Sequence, residues 1–527
     1  MKSEIRALLP LLVVGLSACS AVGPDYVKPE SPLGPDWYEA EHARYDVKAE
    51  QQVLWWEALG DPVLNRLISL AHQQNNSLQI AGLRVLESRA QLGIATGNRY
   101  PQAQVVTGDA TALRASKNAA NTAAGDLEFV QYNVGVGASW EIDFWGKFQR
   151  GIEAADAAFL ASVAGYDQVM VLVTAQVCGT YLAIRTIEEQ LRITNENVAI
   201  QQRSYDIVNV QFENGSTSEL DVLQARTLLM STKASVPALQ TQLYQARHAL
   251  STLLGMPPGD LNDLLRGGVS IPTVPEKLVV GLPADLLRRR PDVRQAEYAA
   301  MAQNARVGLA KANLYPSFSL SGAVGLSAAA NTETTRTGES GFGQLFDADS
   351  LSYSIGPSFV WPFLNYGRLK NSVRVQDARL QQSLVNFRET VLQAAREVED
   401  AVVALDGAVQ QEALLAVTVQ NAQRSSEVAM LRFNEGFADY QRVLNAQQSL
   451  FTQQGRYVSN QSAIVDSFIS LYVALGGGWQ QRQGADFVGK ETSDVMRERT
   501  DWGDLIDGAA VESSVPISDA PIEKSND

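Results

Sequence analysis

The side chains best suited to covalent or metal chemistry are few: His42, His72, His248, Cys19 and Cys178. Zinc and similar ions need ligands at short, fixed spacings, such as the two histidines of HExxH or paired cysteines. The three histidines stand far apart in the chain and the cysteines do not pair, so structural or solvated roles are expected, with no metal. Neither a Walker loop nor a GxSxG elbow is present, so no phosphate cradle and no activated serine is read. No catalytic residue and no cofactor is assigned, and the chain is not read as an enzyme. Polar chemistry concentrates instead in two short stretches, ENGSTSELD at 213–221 and NEGFADYQR at 434–442. Glu219 and Asp221 in the first, and Asp439, Gln441, Arg442 and the following Asn445 in the second, are candidates for a charged ring that closes a pore. A solvated helix face accounts for the same charges, and a cross-helix pair of Arg442 with Asp221 or Asp439 would hold such a pore shut.

What positions these groups is a pair of long helices. Residues 147–213 and 368–434 contain no proline, and at 1.5 Å per residue each could extend ~100 Å. In the second, Val373, Leu380, Phe387, Ala394 and Ala401 recur at steps of seven, joined by Leu384, Val391, Val398 and Leu405. That is a heptad seam, so the rod packs against another helix. Gly215 and Gly436 fall where a left-handed helix stop is expected, and Ser218 and Asp439 follow as N-caps of return helices at 223–254 and 444–475. Both copies are therefore helical hairpins with their tips at one end.

The hairpins belong to a larger duplication. YNVGVGASWEIDFWGK at 132–147 and YSIGPSFVWPFLNYGR at 353–368 share a layout, with Tyr132, Gly135, Trp140 and Gly146 each 221 residues before Tyr353, Gly356, Trp361 and Gly367. The same separation relates Phe212, Gly215, Leu223 and Gly255 to Phe433, Gly436, Leu444 and Gly476, whereas NRYPQAQVVTGDA at 98–110 precedes NLYPSFSLSGAVG at 313–325 by 215. Self-similarity at this scale indicates a duplicated subdomain. Alternating patterns mark four strands, at 102–112, 131–144, 317–328 and 352–363, each near the ~9–11 residues of a tilted membrane strand. Tyr100, Tyr132, Trp140, Trp145, Tyr315, Tyr353 and Trp361 crowd their ends as an aromatic girdle would. Thr-, Ala- and Gly-rich 121–125 and 331–341 suit loops between paired strands. Open sheet edges are not tolerated in lipid, so four strands must be completed by other chains: two copies give eight strands, three give twelve. Gly146 and Gly367 mark the change from strand period to helix period.

The chain opens with Lys2 and Arg6, an apolar run at 7–16 and small residues before a cleavage point, the parts of an export signal. That run is too short to span a bilayer, and no later run of ~18 consecutive apolar residues occurs. Leu16-Ser17-Ala18-Cys19 resembles a bacterial lipobox, in which Cys19 receives lipid and becomes the mature N-terminus; Ser20, which is not Asp, then implies passage to the outer membrane. The net charge of -15 opposes nucleic-acid binding, which needs clustered Lys and Arg. The organisation expected is a signal peptide at 1–18, a lipidated segment at 19–60, repeat one at 61–258, a linker at 259–282, repeat two at 283–479 and an acidic, disordered tail at 480–527. Within that tail, residues 484–527 hold eleven Asp or Glu against four Lys or Arg. Arg288, Arg289 and Arg290, ahead of Pro291, are expected at the negative end of a helix as structural belt residues.

Four motifs carry a family resemblance: AVGPDYVKP after the lipobox, GLPADLLRRRPDVRQAE at 281–297, ANLYPSFSLSGAVG at 312–325 and VWPFLNYGR at 360–368. Through them the chain, from Ala21 to about Trp479, resembles the outer membrane factor (TolC-like) family, in its efflux lipoprotein (NodT-type) branch. The resemblance implies a mainly α chain with a membrane β-barrel, and a homotrimer that forms twelve strands above an α-helical periplasmic tunnel. It further implies a passive duct for small molecules in a tripartite pump. The partners would be outer-membrane lipid, a periplasmic adaptor docked at the tips (Gly215, Ser218, Gly436, Asp439) and an inner-membrane resistance-nodulation-division transporter. Family members often carry aspartates near the positions of Arg442 and Asn445; this chain does not, so a strongly acidic ring is not expected. A lipid-anchored coiled-coil spacer and a protein-secretion duct are the alternatives, and the spacer leaves the four strands unexplained.

Overall fold

The structure is a computed structural model that describes residues 21–30, 32–34, 36–38, 45–46, 53–118, 127–268, 270–280, 283, 289–331, 341–482 and 486–506. Cys19, His42, Arg288 and the loop residues 121–125 and 332–340 lie outside the described residues. A short turn at Trp55–Leu59 leads into α1 (Pro62–Gln74) and α2 (Asn76–Gly97), then strands β1 (Ala103–Arg114) and β2 (Glu128–Ile142), then α3 (Lys147–Glu213) and α4 (Glu219–Leu253). After a helical turn at Asn262–Leu265 the order recurs as α5 (Pro291–Ala312), β3 (Ser317–Asn331), β4 (Leu351–Val360), α6 (Arg368–Asn434) and α7 (Tyr440–Ala474), with α8 (Lys490–Arg499) last. Every boundary of α6 and α7 lies 221 residues after its counterpart in α3 and α4, and those of α5 lie 215 after α2. The glycines that precede or end these helices are left-handed in pairs: φ is 71° and 79° at Gly146 and Gly367, 73° and 76° at Gly215 and Gly436, and 69° at both Gly255 and Gly476.

The two 67-residue helices form because nothing in them breaks the ladder, and apolar packing holds them. Phe387, Val391, Ala394, Val398, Ala401 and Leu405 of the predicted seam are buried on α6. They belong to one central core that also contains Val177, Tyr181 and Ile184 of α3, Leu64, Leu67 and Ile68 of α1, and Phe468 and Leu471 of α7. Trp55 stacks on Tyr472 with ring centroids 5.5 Å apart and is fully enclosed. Burying one such Leu or Phe contributes ~1.5–3 kcal/mol. A second, smaller core at the tips joins Val208 and Ala225 of the first hairpin to Phe433, Tyr440 and Val443 of the second.

Three features depart from the sequence expectations. Residues 486–506 are not disordered: Phe487, Val488, Met496 and Ile506 enter an apolar cluster with Leu78 and Val85 of α2 and Tyr166 of α3. Gly82 makes the approach possible, since a Cβ there would collide with the carbonyl of Phe487. Arg482 fixes the start of the segment, donating to the buried Asp167 at 2.8 Å and lying 4.8 Å over the Phe487 ring. The linker is also tied down, because Leu278–Val279 pairs in parallel with Tyr45–Asp46. Finally, α3 and α6 each contain a stretch long and apolar enough to cross a membrane by composition alone, although no run of uninterrupted apolar residues announced it. That of α3 is mostly buried in the chain and that of α6 is mostly exposed.

Candidate functional site

The four long strands form one antiparallel sheet in the order β1, β2, β3, β4, with β1 and β4 at open edges. Neighbouring side chains in a strand point to opposite faces, so the register sorts the residues. One face carries the rows Thr107, Gly135, Gly325, Ser352 and Val105, Gly137, Ala323, Ser354 and Ala103, Ser139, Ser321, Gly356. The other carries Val106, Val136, Val324, Tyr353 and Gly108, Val134, Leu326, Leu351, with Trp140, Leu320, Pro357 and Ile142, Phe318, Phe359 toward one end. The first face is small and polar, the second apolar. On the polar face Asn133 Nδ2 donates to Asp109 Oδ2 at 3.1 Å, Ser327 Oγ donates to Asn133 Oδ1 at 2.8 Å, and Ser139 and Ser321 hydroxyls lie 3.1 Å apart. Sequence reading found the strands but not this partition, because the face of each residue depends on register between strands almost 200 positions apart.

Below the sheet the chain changes period at Gly146. Asp143 caps α3 from the loop, accepting from the amides of Phe148 at 3.1 Å and Gln149 at 2.8 Å, where the helix end is electropositive. Trp145 stacks on Tyr315 at 4.7 Å and donates to the Pro316 carbonyl at 2.8 Å. Asp143 was not singled out from the sequence; an Asp before a helix start was the available signal.

At the far ends of the helices, Ser218 and Asp221 form a reciprocal capping box. Asp221 accepts from the Ser218 hydroxyl at 2.7 Å, the Thr217 hydroxyl at 2.8 Å and the Ser218 amide at 3.2 Å. Partial burial pushes its carboxyl upward, but these three donors outweigh it and hold the carboxyl below its usual range. Asp439 caps α7 by accepting from the Arg442 amide at 3.3 Å, and Gln441 donates to Asn445 at 3.0 Å. Glu219, Gln441, Arg442 and Asn445 are exposed. The expected cross-helix latch is not formed within the chain. Asp221 is occupied by its own turn, and Arg442 lies 3.8 Å from Asp439 in the first turn of the same helix, both side chains over 70% exposed. Two exposed apolar residues accompany the tips and had drawn no attention: Leu220 and Phe437, the latter 82% exposed.

The remaining ionic sites are structural. Arg290 follows the helical residue Arg289 and directly precedes α5, the expected position past a helix end, and it also serves the end of α7: it donates to the Ala474 carbonyl at 2.9 Å. Asp292, through two contacts of 2.9 and 2.6 Å, and Glu397, at 2.7 Å, balance its charge. His72 meets Thr174 at 2.8 Å, and burial lowers its pKa to about 4, leaving it neutral near pH 7. Cys178 is buried, with its thiol pKa pushed up, and His248 is exposed. Among the described residues no group of three His, Cys, Asp or Glu could hold a metal ion.

A sheet with one polar and one apolar face, continued by ~100 Å helical hairpins, is the wall of a channel seated in an outer membrane. Residues 67–256 and 282–477 match the family described as outer membrane efflux protein. The chain is 32% identical over 476 residues to the cation efflux system protein CusC of Escherichia coli O6:H1, covering 90% of this chain and 99% of that one. It is 31% identical to the probable outer membrane lipoprotein SilC of Salmonella typhimurium, covering 88% and 96%. The solved outer-membrane channel OprN superposes with a TM-score of 0.81 at 28% identity, over 87% of this chain and 99% of that chain. The chain belongs to the outer membrane efflux protein family, among the outer membrane factors of the NodT type. It is an outer-membrane protein of an efflux system and not an enzyme.

Proposed function

We propose that three copies of this chain close a twelve-stranded barrel in the outer membrane and a helical tunnel beneath it, through which small molecules pass outward without chemistry in the duct. The observation that carries this reading is the sheet itself: four strands, two open edges, a polar face and an apolar face. Lipid does not tolerate open edges, so the sheet must be completed, and a closed ring puts the apolar face outward and the hydroxyl-, glycine- and amide-lined face around water. The matched boundaries of the two halves support duplication of one unit, 61–258 and 283–479 with 259–282 between them. Lipid on Cys19 fits the path of the first described residues: Ala21 rests against Gly146 and the Val22 amide donates to the Trp145 carbonyl at 3.0 Å. Ala21 therefore lies at the change from strand to helix, and lipid on Cys19, two residues earlier in the sequence, would reach the inner leaflet, where each buried CH₂ contributes ~0.8 kcal/mol.

The hairpin tips, with Gly215, Ser218, Gly436, Asp439, Leu220 and Phe437, are the surface offered to a periplasmic adaptor, which would connect the duct to an inner-membrane resistance-nodulation-division transporter. Glu219, Asp221, Asp439, Gln441, Arg442 and Asn445 border the tunnel mouth as its gate. The duct selects little, since its strand face is largely uncharged, and the pump chooses the cargo; relatives named for cation efflux and solvent efflux fit one duct serving different pumps. The test is purification in detergent followed by planar-bilayer recording. A heat-modifiable trimer that conducts ions is expected, and a monomer soluble without detergent would overturn the reading.

A further inference from the structure

The duplication lets the joint between two copies be written residue by residue from the joint inside one. Within the chain β2 of the first half pairs with β3 of the second. In a closed ring, β4 of one copy meets β1 of the next, and these are the counterparts of β2 and β3. The correspondence of β2 with β4 is 221, as Trp140 and Trp361 confirm by the same bond: their Nε1 atoms donate at 3.2 Å to the carbonyls of Arg99 and Leu314, themselves equivalent at 215. For β1 and β3 the register gives 214. Ala103 opposes Ser139, Ser317 opposes Val360, and Ser139 and Val360 are 221 apart. The one-residue difference is Gln102, whose side-chain amide accepts from the Glu141 amide at 2.7 Å and donates to the Glu141 carbonyl at 3.2 Å, standing in for strand backbone.

Resting on the multichain barrel proposed above, we infer that the joint between copies has one particular register: Ser358 opposes Asp109 of the next copy, Gly356 opposes Thr111 and Trp361 opposes Val106. These pairs transpose Gly137 with Ala323, Gly135 with Gly325, and Trp140 with Leu320. In this register polar-face residues meet polar-face residues and apolar meet apolar, although only strand correspondences within the chain define it. A slip of one residue would put every side chain on the wrong face.

Two features of the single chain gain a cause. Trp140–Ile142 belong to β2 although β1 backbone pairing stops at Ser139, so β3 and the Gln102 side chain hold them in strand form. Their counterparts Trp361, Pro362 and Phe363 are not strand in the single chain, and Trp361 and Phe363 are 52% and 70% exposed. Their pairing partner would be β1 of the next copy. Likewise Trp145 stacks on Tyr315, while its counterpart Tyr366 stands 98% exposed with φ of 49°, a conformation L side chains seldom adopt. The transposed partner is Tyr100 of the next copy, which is 64% exposed here.

The test is cysteine pairing in native membranes. Ser358→Cys with Asp109→Cys in one chain cannot link internally: the residues sit on opposite edges of the sheet and eight residues out of row, ~30 Å apart at ~4.8 Å per strand and ~3.3 Å per residue, beyond the ~4.4–6.8 Å a disulfide spans. Oxidation should convert most of the protein to a covalent three-chain species on a non-reducing gel. Ser358→Cys combined with Thr107→Cys or Thr111→Cys, which slide the register by two and keep the faces matched, should link little. A trimer linked better by either slid pair overturns the register and leaves the barrel standing, whereas a chain that runs as a monomer and links in no combination overturns both. Tyr366→Ala and Tyr100→Ala should each lower the temperature at which trimers dissociate, and the double variant should fall no further than the worse single. Additive losses would refute the stack.

Discussion

Two adjacent positions in the centre of β3 should respond in opposite ways to the same substitution. Val324 lies in the apolar row with Val106, Val136 and Tyr353, whereas Ala323 lies in the row of Val105, Gly137 and Ser354. Both sit near the middle of the fifteen-residue strand Ser317–Asn331, so each is close to the midplane of any bilayer the strand crosses. Arginine on the lipid face at that depth costs ~2–4 kcal/mol per chain, or ~6–12 kcal/mol for three copies. At ~1.4 kcal/mol per factor of ten, the ratio of folded to unfolded chain should fall on the order of 30- to 1,000-fold per chain. Val324→Arg should therefore be nearly absent from heat-modifiable trimer in outer-membrane fractions. Ala323→Arg faces water, so it should assemble at close to the normal level but lower single-channel conductance, because three guanidinium groups then crowd one level of the bore. Equal tolerance of both, or failure of Ala323→Arg alone, would refute the assignment of faces.

Three further outcomes follow from the geometry. Asp143→Ala removes a carboxylate from two amides of the first turn of α3 and should destabilise the trimer by ~1 kcal/mol per chain in urea titration, with Asp143→Asn losing less. His72 is held neutral with a pKa near 4 against an ordinary 6.5, so in the window between these values the unfolded chain binds the extra proton; stability is full above pH 6.5 and declines as pH falls toward 4, by about 3 kcal/mol in all. His72→Gln should flatten the urea midpoint across that window. Arg442→Ala should raise single-channel conductance and antibiotic uptake with no change in urea midpoint, since its only charged contact among the described residues is the exposed Asp439 in its own helix; unaltered conductance would remove Arg442 from the gate.

Much of this architecture could be read locally. The bounds of α3 and α6 follow from proline-free sequence between paired glycines, and both return helices start at the Ser218 and Asp439 predicted as caps, because helix starts and stops are written in a few adjacent residues. What escaped depends on distant partners. The segment 486–506 has the composition of a solvated tail, yet Phe487, Val488, Met496 and Ile506 bury themselves; irregularly spaced anchors give no periodic signal. The bond of Arg290 to the end of α7 escaped because the carbonyl that accepts it, on Ala474, is 184 residues away. The tip charges were visible as charges, but whether Asp221 was free for a latch depended on hydroxyl rotamers in its own capping box.

Two helices built to the same plan meet unequal fates in the single chain, as the proposed ring requires. α3 and α6 are both 67 residues long and both carry apolar stretches, yet α3 buries 26 residues and α6 only 10. Intrinsic propensity does not explain the difference, since both helices run unbroken from end to end. Position does: α3 packs against α2, α4, α5 and α7, so it stands within the wall, while α6 lies against α5 and α7 and leaves its remaining surface open. The sheet repeats the asymmetry, with β2 partly covered and both edge strands exposed. A ring of copies removes the two deficits together, because the neighbour that pairs with β4 also brings its own first hairpin alongside α6. A lipid-anchored spacer would relieve the helix and leave the strand edges open, so the two exposed surfaces have one common solution.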